Sequence, residues 1–201
     1  MDFILIIILG YVIGSVPFAL VIGNVFFHTD IRNHGSGNLG GGNTGRVLGT
    51  KAGLAVMALD LLKVSLVVLI AKVISPHPWA IPIGAISAAG GHCYPVFAGF
   101  KGGKAVAAMY GFFFGLWVAG GFSPLVFFLP LGTFLLVLYF SKIIALASSV
   151  SAIGATVYIL LIKAPHPITI AMGVFTLLIL VRHRENFRRM IKGTENKIHW
   201  M

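Results

Sequence analysis

Apolar residues fall in long unbroken blocks along this chain, and polar residues gather in the short stretches between them. Seven apolar runs stand out: Phe3 to about Phe27, Ala52 to Ile74, Trp79 to about Phe97, Lys104 to about Gly120, Pro124 to Phe140, Ile143 to Ile162 and Ile168 to Val181. A spanning helix needs about 20 mostly apolar residues, so each run reads as a membrane helix. Breakers separate them at Ser75-Pro76-His77-Pro78, Gly120-Gly121 and Ala164-Pro165-His166-Pro167. The third to fifth runs are the least regular and also fit shorter re-entrant pieces buried in protein. The runs are continuous and do not alternate, which argues against membrane-barrel strands. The first run reads as a retained helix. Acidic Asp2 precedes it and it exceeds the 7–15 residues of a signal-peptide core. The expected fold is all-α and polytopic, with about seven transmembrane helices in a single domain covering 1–201.

Composition strengthens this reading. Of 201 residues, 58% are hydrophobic and only 10% charged, and the mean hydropathy is +0.97. A soluble fold of this length has too little interior to hide so much apolar surface. Cys93 is the sole cysteine, which excludes an intrachain disulfide or a multi-thiolate metal site. Fifteen basic residues against five acidic ones give a net charge of +10. Little chain remains outside the bilayer, so the excess points to anionic substrates and lipid headgroups rather than nucleic acid.

The cations also orient the chain. With seven spans, Arg32, Arg46, Lys51, Lys101, Lys104, Lys142, Arg182, Arg184, Arg188, Arg189, Lys192 and Lys197 share one side. Only Lys72 and Lys163 fall on the other, and Lys63 lies within a span. The positive-inside rule then places the C-terminus in the cytoplasm and the N-terminus outside.

Three polar clusters fall on the cytoplasmic side. The first runs from Gly35 to Arg46 and holds six glycines in twelve residues, with Ser36, Asn38, Asn43, Thr44 and Arg46 among them. Glycines bring several N–H groups to one point, and arginine adds a forked cation, so the stretch suits phosphate. The alternative is a flexible polar loop. Its formal G-x-G-x-x-G is not a dinucleotide fingerprint, because no strand precedes it and Asp60 lies inside a span. The second cluster is Gly91-His92-Cys93-Tyr94-Pro95 followed by Phe100-Lys101-Gly102-Gly103-Lys104. It resembles a phosphate cradle but not a Walker loop, since Ala98 and Ala105 stand at required positions. His92 taken alone fits a packed structural histidine. The third cluster runs from Arg182 to Arg189 and on through Gly193-Thr194-Glu195. A basic juxtamembrane tail is the bland alternative, but His183 and Asn186 share a helical face.

The second, fourth and sixth helices would start on this same side, near Arg46–Lys51, Lys104 and Ser148. Helix starts attract anions, so convergence of the three would make an anion site. Asp60 and Lys63, three residues apart within a span, read as a mutual ion pair or as functional intramembrane charges. With only five acidic residues, no carboxylate cluster is available for Mg²⁺. No H-E-x-x-H or G-x-S-x-G occurs. Three classes remain in play: an enzyme acting on anions, an organic-anion transporter and a non-catalytic membrane scaffold.

Taken in order, the clusters resemble the bacterial acyl-phosphate:glycerol-3-phosphate acyltransferase family. The motif S-G-N-x-G-x-x-N-x-x-R is matched by Ser36, Gly37, Asn38, Gly40, Asn43 and Arg46. The pattern G-H-x-x-P then F-K-G-G-K-x-x-A-T is matched by Gly91, His92, Pro95, Phe100, Lys101, Gly102, Gly103, Lys104 and Ala107, with Ala108 in place of the threonine. The pattern R-H-x-x-N-x-x-R-x-x-x-G-x-E is matched by Arg182, His183, Asn186, Arg189, Gly193 and Glu195. The resemblance implies acyl transfer from a fatty acyl phosphate to the 1-hydroxyl of sn-glycerol 3-phosphate, giving lysophosphatidic acid and phosphate. It implies no metal or other cofactor, and a multi-pass protein of the bacterial inner membrane with its site facing the cytoplasm. The expected catalytic residues are His183, Asn186, Lys104 and Ser36. Substrate binding is expected of Gly37, Asn38, Gly40, Asn43, Arg46, His92, Lys101, Gly102, Gly103, Ser148, Arg182, Arg189 and Glu195. Either a histidine or the substrate phosphate would take the hydroxyl proton. No pattern in the sequence sets an oligomeric state.

Overall fold

Proline and glycine divide the apolar runs into helices, and a computed structural model describes residues 1–198. The helices are α1 (Asp2–Gly14), α2 (Phe18–Phe27), α3 (Gly41–Leu48), α4 (Thr50–Ile74) and α5 (Ala80–Cys93), followed by α6 (Val106–Gly120), α7 (Leu125–Ser141), α8 (Ile144–Leu161), α9 (His166–Arg182) and α10 (Arg184–Ile191). Short 3₁₀ turns occupy Ile31–Asn33 and Val96–Ala98, and no strand occurs among the described residues.

Three segments are long and apolar enough to cross a bilayer: Asp2–Phe27, α4 and α8. A fourth arises if α9 and α10, bent by 51° to one another, count as one. Helices α5, α6 and α7 have 14, 15 and 17 residues. At about 1.5 Å per residue they are roughly 21–26 Å long, short of a hydrocarbon core of about 30 Å.

Several expected boundaries move. The first run is not one continuous helix, because Pro17 lacks an N–H and the chain breaks between Gly14 and Phe18. The third helix stops at Cys93, before Phe97, and the fourth starts at Val106, two residues after Lys104. Half of the expected glycine-rich loop is helix α3. Its glycines serve packing there. A Cβ on Gly53 of α4 would meet the Gly45 Cα at 2.6 Å and the Gly41 carbonyl at 2.7 Å. Only bare backbones can cross this closely.

The core lies where α4, α5, α6, α8 and α9 meet. Phe112, Phe113, Met109 and Leu116 of α6 pack with Ile159 of α8 and with Met172, Phe175 and Ile179 of α9, all fully buried. Tyr110 ties three helices together, its hydroxyl meeting the Pro130 carbonyl at 3.1 Å and Ser151 Oγ at 2.8 Å. On the outside, leucine, isoleucine, valine and phenylalanine side chains of α1, α4, α7, α8 and α9 are exposed, as a lipid-facing surface requires.

Candidate active site

At one end of the bundle, the segments around α3, α6 and α8 come together with the α9–α10 bend. Asn38 donates to the Gly102 carbonyl at 2.9 Å. Arg182 donates to the Gly102 and Gly103 carbonyls, both at 3.1 Å. A Cβ on Gly42 would stand 3.5 Å from Ile144 at the start of α8. The three polar clusters of the sequence therefore form one locus.

A cavity of about 510 Å³ opens there, lined by Gly35, Ser36, Arg46, Val47, Lys104, Asn186, Arg189, Glu195 and Asn196. Lys104 donates to Asn186 Oδ1. Asn186 Nδ2 donates to Glu195 Oε1 at 2.7 Å, and Arg189 Nε to Glu195 Oε2 at 2.8 Å. The amide of Asn186 thus has an ammonium on one side and a carboxylate on the other, which fixes its flip. The Arg46 side chain makes no hydrogen bond to another described residue and lines the same cavity. Burial, then the Arg189 charge, pull the Lys104 ammonium down to about 8, with Glu195 opposing. With three cations and one committed carboxylate, the cavity suits an oxyanion.

His183 sits in the bend between α9 and α10, 3% exposed. Its Nδ1 lies 2.8 Å from the Ile179 carbonyl. A carbonyl only accepts, so Nδ1 carries the proton and Nε2 keeps a lone pair. Burial, then the Lys104 charge, push His183 down to about 4. It is neutral at physiological pH and a weak base.

The remaining expected residues divide into two groups. Ser36 lines the cavity on an exposed turn, held by its N–H bond to Asn43 Oδ1 at 2.8 Å. Asn43 is buried and also donates to the His34 carbonyl at 3.1 Å, so it latches the loop and does not enter the cavity. Gly37, at φ +67°, and Gly40, which caps α3, shape that loop. Gly102 and Gly103 are buried beneath Lys104, and Lys101 is exposed outside the cavity. The Ser148 hydroxyl is buried one turn into α8 and bonds the Ile144 carbonyl at 2.8 Å. His92 is placed elsewhere. Its ring packs on Gly103, where a Cβ would overlap it, and its Nδ1 lies 3.5 Å from Asp60 Oδ1. Asp60 also pairs with Lys63 at 2.7 Å, and Lys63 donates to the Val16 carbonyl at 2.8 Å. That carbonyl is left open by the break between α1 and α2, so the intramembrane charges close a helix gap.

Val47 and Asn196 line the cavity without having been expected to, and Gly35, the first residue of the glycine-rich cluster, lines it as well. Asn196 adjoins the motif residue Glu195, which is the only signal the sequence offers for it. Among the described residues no three His, Cys, Asp or Glu side chains gather as a metal site would need.

Residues 4–193 match the family model described as glycerol-3-phosphate acyltransferase. The chain belongs to the glycerol-3-phosphate acyltransferase family. A protein of that name from Geobacillus kaustophilus is 42% identical over 196 residues, covering 98% of this chain and 96% of the relative. One from Bacillus velezensis is 40% identical over 200 residues, covering 98% and 97%. The fold matches the crystal structure of PlsY, described as an integral membrane glycerol 3-phosphate acyltransferase, in its glycerol 3-phosphate form. The TM-score is 0.90 at 34% identity, covering 99% of this chain and 96% of that one. A lysophosphatidic acid form gives 0.89 at 33%. The chain is thus an integral membrane enzyme, an acyltransferase of phospholipid biosynthesis. The transporter and scaffold readings fall away with that membership.

Proposed function

We propose that this enzyme transfers a fatty acyl group from an acyl phosphate to the 1-hydroxyl of sn-glycerol 3-phosphate, releasing lysophosphatidic acid and inorganic phosphate. The observation that carries the reading is the cavity where Lys104, Arg46 and Arg189 face one space and Glu195 is already paired. Both substrates bring phosphate oxygens, and these cations with the neutral donors Ser36 and Asn186 fit them. The glycerol 3-phosphate acceptor is supported by the names of the relatives.

In the step itself, the acceptor hydroxyl oxygen attacks the acyl carbonyl carbon. The bond from that carbon to the phosphate oxygen breaks. Lys104 and Arg46 stabilise the phosphate as it leaves. The hydroxyl proton passes to the phosphate. An acyl phosphate is already activated, and the protein holds no strong base here, since His183 is pushed to about 4 with Nδ1 occupied. His183 is 3% exposed and outside the cavity lining, so it acts by holding the α9–α10 bend that carries Asn186 and Arg189.

Seven crossings are supported by the seven apolar runs, with the short α5, α6 and α7 counted as spans inside the bundle. A cytoplasmic site on a bacterial inner membrane, with the N-terminus outside, is supported by the cation count. The whole chain acts as one domain.

Stoichiometry tests the reaction. Supplied with palmitoyl phosphate and glycerol 3-phosphate, the purified enzyme should release one inorganic phosphate per 1-acylglycerol 3-phosphate. Phosphate release with no lysophospholipid would make it a hydrolase and contradict the proposal.

A further inference from the structure

Two residues expected to touch substrate turn donors to the backbone instead. Neither Asn38 nor Arg182 lines the cavity. The Gly102 carbonyl receives both Asn38 Nδ2 at 2.9 Å and Arg182 Nη2 at 3.1 Å, and the Gly103 carbonyl receives Arg182 Nε at 3.1 Å. The arginine fork therefore spans two successive carbonyls from two nitrogens, a planar geometry that the single nitrogen of a lysine lacks. Its guanidinium stands 5.1 Å over the Tyr94 ring, and the Tyr94 carbonyl is in turn held by the Tyr11 hydroxyl at 2.8 Å.

The same two residues are gripped from behind. The Gly103 N–H donates to the His92 carbonyl at 2.9 Å. A Cβ at position 102 would stand 2.5 Å from Pro95 and 2.8 Å from the Cys93 carbonyl. The His92 ring rests on Gly103 and is itself backed by Asp60. Lys104 is the next residue, and it enters the cavity from this fixed segment.

We propose that Asn38 and Arg182 are positioning residues, a clamp on the Gly102–Gly103 backbone that holds Lys104 against Asn186 and the cavity. The inference deepens the proposed function, since it rests on Lys104 acting on substrate phosphate. Displacing a catalytic group by about 1 Å costs on the order of 100-fold in rate, so two neutral carbonyl contacts away from the substrate can govern turnover.

Two variants test it without changing the charge around Lys104: Asn38→Ala and Arg182→Lys. The charged groups facing Lys104 are Arg46 of α3, Arg182 of α9, Arg189 of α10 and Glu195, and all keep their charge. His183 packs beside them, neutral. In liposomes with palmitoyl phosphate and glycerol 3-phosphate, each variant should lower kcat by about tenfold or more, with a smaller change in KM. The alkaline limb of the pH profile should move up as a loosened Lys104 gains water. Adding Asn38→Ala to Lys104→Ala should cost nothing further, because the clamp acts only through that lysine.

A rise in KM for glycerol 3-phosphate with kcat and the alkaline limb unchanged would overturn the clamp in favour of direct substrate contact. So would losses that multiply in the double variant. If Arg182→Lys does not fold, Asn38→Ala decides. If the wild type makes no product from any donor, the function reading fails on its own account. The clamp is then read from amine-reactive labelling of Lys104, located by mass spectrometry. Labelling faster in Asn38→Ala than in wild type supports it, and equal rates overturn it.

Discussion

Lys104 and Asn186, 82 positions apart in the chain, meet in a hydrogen bond in which the ammonium donates to the amide oxygen. Glu195 receives the other end of the same amide at 2.7 Å and Arg189 at 2.8 Å. The relay joins the start of α6 to the segment after α10, and it leaves Lys104 with positive charge to offer a phosphate. Replacing Asn186 by Asp sets a carboxylate against Lys104 and against Glu195. Asn186→Asp is expected to lower kcat by about 100-fold. It should also move the alkaline limb of the pH–rate profile upward, since a neighbouring anion favours the protonated lysine.

In the wild type that limb should lie near pH 8, where Lys104 loses its proton. Stability runs the opposite way. The folded Lys104 binds its proton more weakly than the unfolded chain does, so from about pH 8 to the ordinary lysine value of 10.5 this group's contribution to stability rises with pH. Activity falling while thermal stability holds or improves across that window is the expected pair of curves. Activity and stability lost together above pH 8 would show that unfolding, not Lys104, sets the limb.

His183 gives an acid-side counterpart. Its folded value of about 4 lies below the ordinary 6.5, because burial disfavours the imidazolium. Below about pH 6.5 the unfolded chain takes up a proton that the folded chain refuses, so stability declines from there towards pH 4. A variant without that imidazole, His183→Gln, should lose less stability on acidification. Its kcat should drop by about tenfold as the bend that carries Asn186 loses its Ile179 contact, without moving the acidic limb of the pH–rate profile. An acidic limb that disappears in this variant would identify His183 as the base.

Asp60, Lys63 and the Val16 carbonyl make a buried set in the bilayer region. Removing Lys63 leaves Asp60 with His92 as its one remaining partner among the described residues. Lys63→Met is expected to cost about 3–5 kcal/mol, seen as a lower melting temperature in detergent. The double variant Asp60→Asn, Lys63→Met should recover part of the loss. A double variant as unstable as the sum of the singles would mean that the two side chains are not coupled.

The long-range order of the fold was readable from the chain because apolar blocks and Pro/Gly breakers are local signals. The ends of α4, α8 and α9 fall within two residues of the expected runs. The break at Pro17 was hidden because residues on both sides are equally apolar. Helix α3 was hidden because glycines disfavour helix intrinsically, and only contact with Gly53 of α4 makes them the right residues there. The residue types of the site were legible, but their division of labour was not. Asn38, Asn43 and Arg182 look like ligand donors in a sequence, and only the structure shows them donating to backbone carbonyls instead. Hydrogen-bond partners 64 and 80 positions away leave no local trace.

A cavity that takes an acyl phosphate and a glycerol phosphate together should discriminate between acyl donors. Purified enzyme in liposomes is given glycerol 3-phosphate with palmitoyl phosphate, palmitoyl-CoA or palmitoyl-acyl carrier protein, each with a metal chelator present. Lysophosphatidic acid should form from palmitoyl phosphate alone. Product from either thioester, with none from palmitoyl phosphate, would contradict it.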